Sequence, residues 1–345
     1  LRILELFHGP SLAFKDFGAR FMARVVSYLR RDAARELTVL VATSGDTGGA
    51  VAHGFHNVPG TRVVLLYPHG RVSHAQEQQL TTLGGNISAL EVRGTFDDCQ
   101  RMVKAALRDP TLRDALDLTS ANSINIARLI PQTFYYVYAY ARLGETTDPP
   151  IFAVPSGNFG NLTAGVLARR MGLPVARFVA ATNANDIVPA YLESGVFRAR
   201  PSQQTLSSAM DVGDPSNFAR LLALYGGDRG RMAADIWGYS FTDAETLAGM
   251  RALYTRYGYV ADPHTAVGYL GLTRAQRNDP TAPGIVLATA HPAKFAESCH
   301  VATGCAIELP ERLRACLALP KQAIPLAPTD SALRAYLLQG RGDDS

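Results

Sequence analysis

The chain is poor in cysteine. Its four, at positions 99, 299, 305 and 316, form no C-x-x-C pair, and none neighbours a histidine at zinc-finger spacing. That argues against a disulfide scaffold or a structural zinc site and for free thiols in a reducing compartment, so a cytoplasmic protein is expected. No apolar run approaches the roughly 18 residues needed to cross a bilayer, which leaves no membrane role. Long basic blocks are missing too. The formal charge of +4 is dispersed along the sequence, so no nucleic-acid partner is expected. Familiar catalytic signatures are also missing. Without G-x-G-x-x-G or G-x-x-x-x-G-K-[ST], a dinucleotide or P-loop nucleotide site is unsupported. Without H-E-x-x-H or G-x-S-x-G, so are a zinc hydrolase and a serine hydrolase, and no metal is expected. A leading methionine is absent as well. The chain opens at Leu1, already inside an apolar segment, and an upstream portion is expected before it.

What is present is a globular balance, 47% hydrophobic and 19% charged over 345 residues, enough for a sizeable core in two domains or one large one. Short β-branched runs at 36–43, 61–67, 87–92, 150–156, 175–181 and 284–290 alternate with helical patterns such as 47–57, 73–83, 95–108, 160–171 and 243–257. Near-continuous apolar strands between amphipathic helices indicate α/β architecture, with mostly parallel sheets covered on both faces. The polar stretch "GETTDPP" (144–150) is the expected domain boundary. A long loop-rich segment, 202–218, is of a length often functional or mobile, and the tail 339–345 is expected to fray.

Five stretches carry chemistry. In "FHGPSLAFKDFGARF" (7–21) a single lysine, Lys15, stands at a helix entrance among Leu12, Phe14 and Phe17. A helix N-terminus and apolar neighbours both disfavour the ammonium, which favours a neutral nucleophilic amine. "IFAVPSGNFGNLTAGVLARRM" (151–171) reads as strand, glycine turn and helix, an anion cradle formed by Gly157, Asn158, Phe159, Gly160 and Asn161 that suits one phosphate monoester. "VATSGDTGGAVAHGF" (41–55) repeats that plan. Ser44, Gly45, Asp46 and Thr47 offer hydroxyls and amides to a carboxylate, with Asp46 or Thr47 as N-cap. In 119–140 a polar stripe of Asn125, Arg128 and Gln132 falls on one helical face, interrupted by Pro131, which either kinks the helix or starts it afresh. "VLATAHPAKFAES" (286–298) ends a strand in hydroxyl and imidazole groups. There His291 is ambiguous between a structural and a catalytic role, and Lys294 reaches either an anion or water. An amine nucleophile, a cup for one phosphate and a nest for a carboxylate are together the parts of a pyridoxal-phosphate enzyme.

"LFHGPSLAFKDFGARFM", "ATSGDTGGA", "NSINIARLIPQTFYY", "VPSGNFGN" and "ATAHPAKF" resemble, in order, the successive signatures of the threonine synthase family in its bacterial and fungal branch. The resemblance covers residues 4 to about 300. It implies the fold of cysteine synthase, the tryptophan synthase β chain and the serine and threonine dehydratases, with two α/β lobes closing on pyridoxal phosphate. The smaller lobe, 10–145, would carry the cofactor lysine. Residues 1–9 and 146–345 would form the larger lobe with the phosphate loop.

By the same resemblance Lys15 forms the Schiff base, residues 157–161 hold the cofactor phosphate, and Thr289 meets the pyridine nitrogen. Ser44, Gly45, Asp46 and Thr47 face the substrate carboxylate, while Asn122, Ser123, Asn125 and Arg128 lie near substrate phosphate or the cofactor's O3′. The implied reaction turns O-phospho-L-homoserine and water into L-threonine and phosphate, in a monomer or small homo-oligomer acting on a small molecule. The rival readings are a serine or threonine dehydratase, a phospholyase acting on another phosphorylated amine, a nicotinamide-dependent oxidoreductase, and a catalytically silent relative.

Overall fold

A computed structural model describes residues 1–144 and 148–339. Among these, the strands in chain order are β1 (Arg2–Glu5), β2 (Leu37–Ala42), β3 (Thr61–Pro68), β4 (Ile87–Val92), β5 (Asp117–Ser120), β6 (Ile151–Pro155), β7 (Arg177–Thr182), β8 (Ile236–Ser240), β9 (Gly284–Ala288) and β10 (Ile324–Leu326). The helices that position the site are α1 (Lys15–Leu29), α2 (Asp46–Phe55), α3 (His74–Thr81), α4 (Phe96–Ala106), α5 (Pro110–Ala115), α6 (Ile126–Leu129), α7 (Thr133–Ala141) and α8 (Gly160–Arg170).

The chain divides into two compact units. One is built from Leu1–Phe14 and Leu129–Glu308, the other from Lys15–Arg128 and the described residues from Leu309 onward. Each contains one five-stranded, wholly parallel sheet, in the order β1-β9-β6-β7-β8 and β10-β4-β3-β2-β5 respectively. The α/β fold class read from the sequence is the one observed.

Physical chemistry accounts for both sheets. Every residue of β2, β6 and β9 is buried, as a strand covered on both faces requires. In the first unit Tyr136 packs edge-on against Phe152 and Phe178, each of them fully buried. Burying a side chain of that size contributes about 1.5–3 kcal/mol. In the second unit α4 opens with a capping box between Thr95 and Asp98 and turns Cys99, Met102, Val103 and Ala106 to the core.

The unit boundaries differ from the lobes expected from sequence. Residues 129–144 join the unit of β6 because Leu129, Tyr135, Tyr136 and Ala139 pack in its core. Residues from 309 onward leave that unit. Their strand β10 pairs with β4, and Leu333 and Leu337 of the helix Asp330–Gln339 fill the core beside α4. The expected boundary at 144–150 falls partly, and the tail 340–345 wholly, outside the described residues.

Candidate active site

In a parallel sheet every strand points the same way, so the loops that follow the strands gather on one edge. Ligands bind there, where the strand order reverses. In the first unit that point lies between β6 and β9, and in the second between β2 and β5.

Between β6 and α8 the chain turns through Ser156–Phe159. Phe159 sits at φ 60° as the N-cap of α8, a conformation that costs a non-glycine residue free energy, and no side chain caps the first-turn amides. Gly157 is required: a Cβ there would stand 2.5 Å from Met210 Cα. Asn158 Oδ1 accepts from the Ser216 amide (2.6 Å) and hydroxyl (2.9 Å), so that oxygen braces the turn. Asn161 Oδ1 lies 2.8 Å from the Tyr136 hydroxyl, while Asn161 Nδ2 is buried and has no hydrogen-bond partner among the described residues. An orphaned amide donor beside uncapped helix N–H groups suits a phosphate monoester.

On the neighbouring strand end, Thr289 accepts the Phe14 amide through its carbonyl (2.9 Å), and its side chain is almost wholly buried. His291 Nδ1 accepts the Ala293 amide at 3.1 Å, capping the turn Pro292–Phe295, which gives the ring a structural use. Lys294, expected to reach an anion or water, is buried and donates to Ser11 O at 3.0 Å.

The segment 202–218 carries the machinery that sequence reasoning missed. Asp211 Oδ1 accepts from Thr205 Oγ1 (2.7 Å), Asn183 Nδ2 (2.9 Å) and Asn185 Nδ2 (3.2 Å). Burial pushes its carboxyl up to about 6. His264 Nε2 accepts the Ala209 amide (3.2 Å), so the neutral ring carries its proton on Nδ1 and donates it to Asp262 Oδ2 at 2.6 Å. These bonds hold Met210 against Gly157. Only the length of the segment hinted at such a role.

In the second unit Lys15 is the first residue of α1, as expected, with its Nζ 3.5 Å from Asp46 Oδ2. Two features amend the expected apolar surroundings: Phe17 is 45% exposed, and a buried carboxylate faces the amine. The N-cap of α2 is neither Asp46 nor Thr47 but Gly45, at φ 133°, where a Cβ would meet the Gln76 side chain at 2.4 Å. Thr43 Oγ1 accepts the amides of Gly45 (3.0 Å) and Gly48 (2.8 Å), which removes them from any ligand nest, whereas Ser44 and Thr47 are half-buried at its rim.

After β5, Asn122 is bonded to the backbone of Ala42, its Oδ1 accepting at 3.1 Å and its Nδ2 donating at 2.6 Å. Asn125 donates to Ser120 O (2.9 Å) and accepts the Ala127 amide (3.0 Å). Ser123 is half-buried in the turn between them, and the buried Arg128 guanidinium donates to Ala121 O. The stripe of Asn125, Arg128 and Gln132 does not form one helical face. Helix α6 ends at Leu129, Pro131 enters a 3₁₀ turn (Ile130–Gln132), and the chain restarts as α7 in the other unit.

Residues 4–290 match the family model of pyridoxal-phosphate dependent enzymes, and 265–337 match that of the threonine synthase C-terminal region. The chain belongs to the threonine synthase family. It is 47% identical to the threonine synthase of Escherichia coli strain K12 over 341 residues, covering 97% of this chain and 77% of that protein. The crystal structure of threonine synthase from Escherichia coli superposes with a TM-score of 0.90 at 46% identity, covering 98% of this chain and 78% of the other. A pyridoxal-phosphate-bound threonine synthase from Brucella melitensis gives 0.87 at 37% identity, covering 97% and 77%. The chain is therefore a pyridoxal-phosphate enzyme, and the nicotinamide reading is set aside. Among the described residues no helix is long and apolar enough to cross a membrane.

Proposed function

We propose that the chain converts O-phospho-L-homoserine and water to L-threonine and phosphate, with Lys15 as its cofactor lysine. The observation that carries the reading is the start of α8, which no side chain caps and where the buried Asn161 Nδ2 lacks a partner among the described residues, with Thr289 on the adjoining strand end. These groups fit a small phosphorylated ring compound. When bound, pyridoxal phosphate supplies an aldehyde that bonds an amine and a ring that accepts the electron pair left at carbon when a proton departs.

Everything else falls to the chain. The backbone of Gly157, Asn158, Phe159, Gly160 and Asn161 holds the cofactor phosphate, and Thr289 Oγ1 meets the pyridine nitrogen as a neutral partner. Lys15 Nζ takes a proton from Cα and then one from Cβ of the substrate, so that phosphate leaves from Cγ; protons return to Cγ and Cα as the hydroxyl of water adds at Cβ. Ser44, Asp46 and Thr47 face the substrate carboxylate through backbone and hydroxyl groups, the Asp46 carboxylate being turned to Lys15, while Gly45, its amide held by Thr43, shapes the turn that presents them. Ser123 and Arg128 meet the substrate phosphate, while Asn122 and Asn125 hold the turn that presents them. A cytoplasmic monomer or small homo-oligomer completes the proposal, in keeping with four free cysteines.

Parallel assays of the purified enzyme test it. Threonine and phosphate should appear in equal amounts from O-phosphohomoserine. Production of a 2-oxo acid from serine or threonine at a comparable rate would favour the dehydratase instead.

A further inference from the structure

Gln76 carries no role in the reaction as derived so far, yet its side chain lies one hydrogen bond from the partner of the cofactor lysine. It is the third residue of α3 and 3% exposed. Its Oε1 accepts the Ser73 amide at 3.2 Å, and its own amide donates to Ser73 Oγ at 3.3 Å, closing a capping box. That leaves Nε2, which donates to Asp46 Oδ1 at 2.9 Å. The other carboxylate oxygen, Asp46 Oδ2, is the one 3.5 Å from Lys15 Nζ. One carboxylate thus has an oxygen committed to a rigidly capped amide and an oxygen facing the amine. The absence of a Cβ on Gly45 makes room for this chain of bonds, since one would overlap the Gln76 amide group.

We propose that Gln76 is a positioning residue for the reaction: it fixes the Asp46 carboxylate, and through it the proton that Lys15 holds. The proposal rests on Lys15 being the cofactor lysine. A capping box needs only the Oε1 of Gln76, and glutamate serves that purpose equally well. Among the described residues the amide Nε2 is bonded only to Asp46. The other ionisable groups of the packed elements are placed differently. Glu77 is bonded to Lys321 and Tyr67; Arg20, Arg24, Tyr28 and His74 are exposed, as are Glu311, Arg312 and Arg314 of the helix Glu311–Leu317 packed on α3; Arg62 of β3 lies over the Tyr336 ring; Asp16 is buried beside Lys15 in the first turn of α1; and His53 is half-buried two turns along α2.

Gln76→Glu keeps the capping oxygen and replaces the donor with a like charge against Asp46. Gln76→Met keeps the bulk without donor or charge. Each is made in the holoenzyme, alone and with Asp46→Asn. The readouts are kcat, KM, and the pH midpoint of the bound cofactor's visible absorption band. Alone, each substitution should lower kcat tenfold or more with KM within twofold, and Gln76→Glu should move the midpoint upward by about one pH unit, since added negative charge favours the protonated amine. In the Asp46→Asn background the same substitutions should change little, because the effect passes through that carboxylate.

Equal effects in both backgrounds, or a lower melting temperature with kcat and midpoint unmoved, would reduce Gln76 to a helix cap and overturn the proposal. Should Gln76→Glu fail to fold, the kcat of Gln76→Met in the two backgrounds decides in the same way. Lys15→Ala separates the two failures. If it keeps the band, the lysine assignment is wrong and the inference falls with it; if it loses the band while Gln76 variants behave as wild type, the inference alone fails.

Discussion

Asn161 uses its two amide atoms differently. Oδ1 is settled on Tyr136, a fully buried phenol that burial pushes far above its ordinary range and so keeps as a donor, while Nδ2 has no partner among the described residues. A hydrogen bond from such a donor to a charged group is worth about 1.5–3 kcal/mol, so Asn161→Ala should weaken cofactor affinity roughly ten- to a hundredfold by equilibrium dialysis. Unchanged affinity would remove Asn161 from the phosphate cup. Arg128→Ala should raise KM for the phosphorylated substrate by a similar factor; if KM holds and only the melting temperature falls, the guanidinium is structural, as its bond to Ala121 O is. Residue roles of this kind are only partly legible in sequence. Gly157 and Lys15 announce themselves by their setting. Asn122, Asn125 and Gln76 do not, because a polar side chain bonded to backbone reads the same as one facing a ligand. The S-x-x-Q spacing at 73–76 is that of a capping box, but it carries no sign of the amide's second use. Cys99 and Cys299, whose thiols burial pushes up to about 12, fit the plain reading of inert free cysteines.

Among elements, the strands legible as apolar runs are β2, β3, β4, β6, β7 and β9, the interior strands of the two sheets. Those that escaped, β1, β5, β8 and β10, are the four edges, where one side lacks a neighbouring strand and polar residues are tolerated, as in "DLTS" and "RILE". The 202–218 loop escaped for a related reason: its order comes from buried polar bonds, which leave no periodic signature. Those bonds make a pH prediction. Asp211 titrates near 6 in the folded chain against 3.8 for an ordinary aspartate, so between these values the folded state binds more protons than the unfolded. Stability contributed through Asp211 therefore rises as pH falls from about 6 to 4 and is lost as pH climbs back. The melting-temperature gap between wild type and Asp211→Asn should shift in favour of wild type from pH 7 to pH 4.5. A constant gap would mean the carboxyl is not held in its shifted state.

At the scale of the molecule, the chain returns late to an early unit. Residues beyond Leu309 add β10 to the edge of the sheet and set Leu333 and Leu337, both fully buried, beside α4. Lys321 ties the return down through Glu77 (2.7 Å) and Glu91 (2.8 Å). No local pattern in the sequence reports such a return, because its pairing partner lies more than two hundred residues away. Leu333→Ala should cost about 2–5 kcal/mol by urea unfolding, the usual range for emptying a packed leucine site. A change below 1 kcal/mol would mean that the helix Asp330–Gln339 adds little to that core.

One of four lysines, at 15, 104, 294 and 321, must carry the cofactor. Borohydride reduction of the purified holoenzyme, followed by peptide mapping of the pyridoxyl label, decides among them. A single labelled peptide containing Lys15 is expected; a label on Lys104, Lys294 or Lys321, with Lys15 unmodified, would contradict the assignment of Lys15.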